Sequence, residues 1–169
     1  TFIYLGTVAV NIDKMRHSAT RALFERRDVI IVASVSCIYG LGSPQAYSEL
    51  VVNIEQGAEI ERNELLRSLV DIQYTRNDMN LLRGSFRVRG DVIDILPAHK
   101  RNEAIRIELF GDEIEAIHII DALTGNRLRS VENLSIYPNS HYVTDRKDVK
   151  HIVKEILSDL GVRLRALKA

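Results

Sequence analysis

The sequence predicts an α+β protein: a small antiparallel-sheet domain with helices, joined to a partial α/β lobe that contributes one parallel-type strand and flanking helices. Three observations carry this prediction. Gly84-Ser85-Phe86-Arg87-Val88-Arg89-Gly90-Asp91-Val92-Ile93-Asp94-Ile95-Leu96-Pro97 reads as two strands around a tight turn, with apolar and charged residues alternating at the strand period of two. Ile105, Ile107 and Leu109 repeat the alternation against Arg106 and Glu108. Val29-Ile30-Ile31-Val32-Ala33 is an unbroken apolar run, of the kind buried on both faces of a parallel sheet.

In chain order, residues 1–10 are apolar and β-prone. Asn11 can cap a helix whose apolar positions Ile12, Met15, Ala19, Ala22 and Leu23 recur at helical spacing, and Arg26-Arg27-Asp28 closes it. After the 29–33 run, Ser34-Val35-Ser36-Cys37-Ile38-Tyr39-Gly40-Leu41-Gly42 leaves the carboxyl end of the expected strand, where open α/β sheets bind ligands. It is either such a loop or a purely structural one. Ser43-Pro44 starts a helix through Tyr47, Leu50 and Val51 that Gly57 ends. A second helix buries Leu65, Leu66, Leu69 and Val70, and Tyr74-Thr75-Arg76-Asn77-Asp78 is a polar loop.

In the meander that follows, Gly90-Asp91 makes the hairpin turn and Pro97, with no N–H, ends the ladder. Phe86, Val88, Ile93 and Ile95 face inward. Arg87, Arg89, Asp94, Arg106 and Glu108 face out, to solvent or to a partner. Residues 114–120 are apolar in both registers, so either side can face the core. Asp121-Ala122-Leu123-Thr124-Gly125-Asn126 is a turn and Leu134-Ser135-Ile136-Tyr137-Pro138 a last short strand. Thr144 caps a final helix with an apolar stripe from Val149 to Leu167, interrupted at Gly161.

The 169 residues suit one ordinary domain, or a small domain with pieces of another. A hydrophobic fraction of 46% supports a core, and 27% charged residues with no bilayer-length apolar run argue against a membrane protein. Lys plus Arg and Asp plus Glu are 23 each, so nothing in the net charge of +0 suggests a generic nucleic-acid sponge. One cysteine, Cys37, rules out an internal disulfide and fits a reducing compartment. With no basic leader at the start, the expected location is cytoplasmic.

Catalytic patterns are missing. His17, His99, His118, His141 and His151 lack metal-ligand spacing. No G-x-S-x-G elbow and no G-x-x-x-x-G-K-[ST] loop occurs. Glu108, Asp112 and Glu113 cluster around a turn and read as solvated carboxylates rather than an acid–base pair.

Several segments together resemble one family. Arg16-His17-Ser18-Ala19-Thr20, the stretch from Arg26 to Pro44, Leu69-Val70-Asp71-Ile72-Gln73-Tyr74, Arg76-Asn77-Asp78, the Phe86 to Asp91 hairpin, Phe110-Gly111-Asp112-Glu113-Ile114-Glu115 and Asp121-Ala122-Leu123-Thr124-Gly125 are collinear with the UvrB family, a component of the bacterial excinuclease ABC. The resemblance covers about residues 11 to 145. It implies a superfamily 2 helicase fold, with residues 1–44 in a partial first ATPase lobe, 45–140 forming a UvrA-interaction domain, and 141–169 starting the following lobe.

By the same resemblance, the function is damage verification in bacterial nucleotide excision repair. The partner is UvrA, with DNA and UvrC as partners of the full-length family. The family residues associated with UvrA binding fall on Arg76, Arg87, Arg89, Arg106 and Glu108, largely the row that alternation places outward. The Ser34 to Gly42 loop resembles a helicase DNA-contact motif, with Ser34, Ser36, Tyr39 and Gly40 as its DNA contacts. ATP and Mg serve the full-length family. Without the Walker A loop and the other catalytic motifs, no cofactor is expected on this chain, and alone it should be inactive. Two rival readings are an autonomous nucleic-acid-binding module and the UvrA-binding module of a transcription-repair coupling factor.

Overall fold

A computed structural model describes residues 2–34, 44–141 and 146–168. In chain order the elements are α1 (Phe2–Glu25), α2 (Pro44–Glu49), β1 (Val52–Glu55), α3 (Arg62–Asp71), β2 (Thr75–Arg76), β3 (Ser85–Arg89), β4 (Val92–Leu96), β5 (Glu103–Phe110), β6 (Glu113–Asp121), β7 (Arg127–Val131), β8 (Asn133–Ile136) and α4 (Arg146–Lys168). The architecture is α+β, as the alternation predicts. A six-stranded sheet runs β2-β3-β4-β5-β6-β7, and a two-stranded ladder joins β1 to β8. Among the described strands only β2 runs parallel to its neighbour.

The hairpin register is the one that buries one face. Phe86 pairs with Ile95 and Val88 with Ile93, Ile95 with Ile105 and Ile93 with Ile107, and Ile105 with Ile119 and Ile107 with Ile117. These side chains join Leu65 and Leu69 of α3 and Ile54 and Ile136 of the ladder in one core cluster. A shift of one residue would turn the whole row to water, and each such side chain contributes about 1.5–3 kcal/mol by burial. Gly90 takes φ +62 at the turn, as expected, and β4 stops one residue before Pro97.

The double apolar register of β6 has a physical cause. Glu108 pairs with Ala116 and Leu109 with Ile114, so Glu115 is an extra, bulged residue that switches the parity of the strand. Ile114 and Ile117 therefore both reach the main core, while Ile120 joins Leu96 and Ala104 in a second, smaller cluster.

Elsewhere the structure corrects the expectations. Residues 2–10 are helical, and α1 begins well before Asn11. The expected parallel strand at residues 29–33 is irregular, with Ile30 and Val32 more than nine-tenths exposed; among the described residues no strand lies beside it to complete its hydrogen bonds. The helix expected to run to Gly57 stops at Glu49, and Val52–Glu55 is a strand whose partner, β8, is about eighty residues away. Thr75–Arg76 is a short edge strand rather than a loop, and β7 is a strand that the sequence pattern does not announce. In α3, Leu65 and Leu69 are buried while Val70 is half exposed. Helix α4 continues through Gly161, and Val153, Ile156, Leu157, Leu160, Leu164 and Leu167 are exposed along it. The Ser43 and Thr144 caps and Cys37 lie outside the described residues.

Helix α1 lies against the domain through polar and aromatic contacts. Asp13 pairs with Arg83 at 2.7 Å, Thr20 Oγ1 and His141 Nε2 are 2.9 Å apart, and Phe24 stacks on Tyr47.

Candidate protein-docking surface

The face of the sheet away from the core is built in rows across the strands. In the central row Arg87, Asp94, Arg106, His118 and Ser130 stand opposite one another on β3 to β7. Period-two alternation puts them on one face, and antiparallel register puts the acid between two arginines. Arg87 donates from Nε (2.9 Å) and Nη2 (2.8 Å) to Asp94 Oδ2. Arg106 donates from Nε (2.7 Å) to Oδ1 and from Nη2 (3.0 Å) to Oδ2.

Asp94, expected to point to solvent, is buried beneath these two guanidinium groups, with 3% of its side chain exposed. Burial pushes its carboxyl up, but the hydrogen bonds from Arg106 and then Arg87 outweigh it and hold the group below the usual carboxylate range. The bond to Asp94 in turn raises Arg106. Such charge-assisted forks fix both guanidinium planes. The Nε–Nη2 edge of each faces Asp94, so its Nη1 edge faces away from the acid.

His118, also buried, holds Ser130 Oγ at 3.0 Å from Nδ1 and lies 3.8 Å from Glu108 Oε1 through Nε2. Sequence reasoning misses both His118 and Ser130, because the bulge at Glu115 hides the register of β6 and β7 carries no apolar alternation. In the next row Arg89, Val92, Glu108 and Ala116 stand in register, with Arg89 exposed and Glu108 partly so. On the other side of the central row is the small apolar cluster of Leu96, Ala104 and Ile120, packed by Leu81 and Ala122.

Thus Arg87, Arg89, Arg106 and Glu108 share one platform, and Arg76 does not. Arg76 is in register with Phe86, so it belongs to the helix-side face at the sheet edge, near Asn63, Leu66 and Val70 of α3. There its Nε and Nη2 bind Asp78 at 3.0 and 2.9 Å, and Asp78 Oδ1 accepts the Val88 N–H at 2.9 Å. Those contacts, the Arg76 hydrogen bond foremost, lower the Asp78 carboxyl. The edge strand is held by a side chain that bridges to β3.

Of the expected DNA-contact residues, Ser34 is exposed in an irregular segment; Ser36, Tyr39 and Gly40 lie outside the described residues. Among the described residues no group of three or more His, Cys, Asp or Glu could hold a metal ion. No described helix is long and apolar enough to cross a membrane.

Residues 52–142 match the family described as UvrB interaction domain. UvrABC system protein B of Geobacillus kaustophilus is 60% identical over 158 residues, covering 94% of this chain and 24% of that protein. The same-named protein of Listeria innocua is 58% identical over 158 residues (94% and 24%), and that of Bacillus subtilis 56% over 156 residues (92% and 24%). The chain spans about a quarter of the length of these relatives.

Proposed function

We propose, from the premise that this chain belongs to the UvrB interaction domain family, that the outer face of its six-stranded sheet docks UvrA in bacterial nucleotide excision repair. The observation that carries the reading is the Arg87–Asp94–Arg106 network beside Arg89 and Glu108. A buried acid locks two guanidinium planes on a rigid sheet, and the neighbouring row offers an exposed arginine and a carboxylate. Prepaid side-chain order of this kind lowers the cost of binding. Opposed charges fix which surface docks and in what orientation.

In this reading residues 45–140 carry the docking module. Residues 1–44 and 141–169 belong to flanking lobes, and ATP, Mg, DNA and UvrC are handled by other parts of the protein. Arg76 acts at the sheet edge, either at the rim of the surface or by holding the Asp78 bridge.

The network also decides which variant tests the surface. Arg87→Glu would set a second carboxylate against buried Asp94 and unfold the platform, whereas Arg89 is exposed. Arg89→Glu should keep the circular dichroism and unfolding midpoint of the original chain while weakening capture by immobilised UvrA. A close interface charge pair is worth about 2–5 kcal/mol on truncation, roughly a thirtyfold or greater loss. Undiminished capture by the folded variant refutes a docking role for the charged row.

A further inference from the structure

Beside Arg106 the outer face carries an apolar feature that the charged row does not use. The turn after β6 is tied down on itself: Asp121 Oδ1 accepts from the N–H of Leu123 (3.1 Å), the N–H of Thr124 (2.7 Å) and the Thr124 hydroxyl (2.9 Å). Its backbone is closed by Gly125 N–H to Asp121 O (2.8 Å), and it is anchored to the neighbouring loop by Ala122 N–H to Asn102 O (2.7 Å). This turn holds Leu123 93% exposed, a costly position for a leucine on a fixed support. Beside it lies an open depression of about 320 Å³ lined by Leu81, Leu96, Ala122 and Leu123 together with Arg101, Asn102 and Asp121. Gly125, at φ +75, brings the turn against the platform; a Cβ there would stand 3.8 Å from Arg106 Nη2.

We infer that the Leu123 turn and the depression beside it form the apolar anchor of the UvrA-docking surface, taking one apolar side chain of UvrA next to a carboxylate within reach of Arg101 and Arg106. The inference rests on the docking reading above and adds to it an apolar contact. Three features favour this occupant. The turn that carries Leu123 adjoins the charged row, since its Gly125 stands close to Arg106 Nη2. Arg101 is part of the depression's lining and Arg106 stands against the same turn, which suits a partner segment mixing apolar and acidic residues. The turn is ordered before binding, so little entropy is lost when a partner closes over Leu123. A central apolar anchor ringed by polar contacts is the usual energetic layout of a protein interface.

The test is titration calorimetry of this chain with purified UvrA, comparing the original sequence with Leu123→Ala, Leu123→Met and Arg89→Glu. Leu123→Ala should raise the dissociation constant about tenfold or more. Its unfolding midpoint should stay within about a degree of the original, because the side chain is 93% exposed in the free chain. Leu123→Met should restore binding, and the heat-capacity change of association should be less negative for alanine. Any smaller loss in Leu123→Ala overturns the anchor. If Arg89→Glu loses binding while Leu123→Ala does not, the anchor alone falls. If Leu123→Ala loses binding while Arg89→Glu does not, the anchor stands and the charged row falls, and if neither loses binding, both fall.

Discussion

Replacing Asp94 by asparagine keeps the shape of the side chain and removes the charge that holds Arg87 and Arg106. In the folded chain that carboxylate accepts four hydrogen bonds of 2.7–3.0 Å from the two guanidinium groups. Breaking a buried ion pair by removing one partner costs about 3–5 kcal/mol. Arg87 and Arg106 keep 15% and 26% of their side chains exposed, so both recover some hydration, and about 3 kcal/mol is the expected loss. With a urea dependence near 2 kcal/mol per molar, the unfolding midpoint should fall by about 1.5 M.

Acid provides the control. The folded carboxyl of Asp94 lies below its unfolded value, so its contribution is complete above about pH 4 and is lost as pH falls through the lowered folded value. Once protonated, aspartic acid and asparagine are both neutral. The assay is therefore urea unfolding of both chains at pH 7 and in acid, and the gap between them should close as pH falls below about 4. Equal midpoints at pH 7, or a gap that persists unchanged in acid, would refute the argument that this network braces the platform.

The other expectations concern the core, the junction and a turn. Leu69→Ala empties a fully buried position against the sheet and should cost about 2–5 kcal/mol in urea unfolding. Tyr74→Phe removes a buried hydroxyl that donates to the Tyr137 carbonyl at 3.1 Å and should cost about 1 kcal/mol by the same measurement. Gly84 combines φ +73 with a site where a Cβ would collide with the Asn139 side chain, so Gly84→Ala should lower the thermal midpoint measurably. At the α1 junction His17 stacks on His141 near Asp13, Arg83 and Arg16, and burial foremost lowers its pKa to about 4. An unfolded histidine takes its proton near pH 6.5. The stabilisation is therefore whole above that value and is lost between about pH 6.5 and 4, on the order of 3 kcal/mol. The protection factors of the α1 amides, exchange rates corrected for the intrinsic pH dependence, should fall across that window, and His17→Phe should flatten the dependence.

How much of this was legible in the sequence depended on where each element found its partner. Strands β3, β4 and β5 are joined by short turns, and their period-two pattern named the inward residues and the outward arginines. Strand β1 pairs with a segment about eighty residues away, so its four residues carried no local sign and read as the tail of a helix. Strand β7 is largely exposed and has no apolar alternation to announce it. The β-branched run at residues 29–33 showed the opposite failure, since composition favours a strand but no described neighbour pairs with it. The outer face followed from alternation, whereas the burial of Asp94 did not. Alternation assigns a face, and only cross-strand register reveals that two arginines close over one acid. Arg76 left the platform for a similar reason, because its short strand runs parallel to β3 and takes the parity of Phe86.

The β1–β8 ladder sets Val52 across from Ile136 and Glu55 across from Asn133. The two ends of the intervening chain thus leave the sheet domain side by side, roughly 5 Å apart. A segment with neighbouring ends can sit in a surface loop of a larger host without prising that host open.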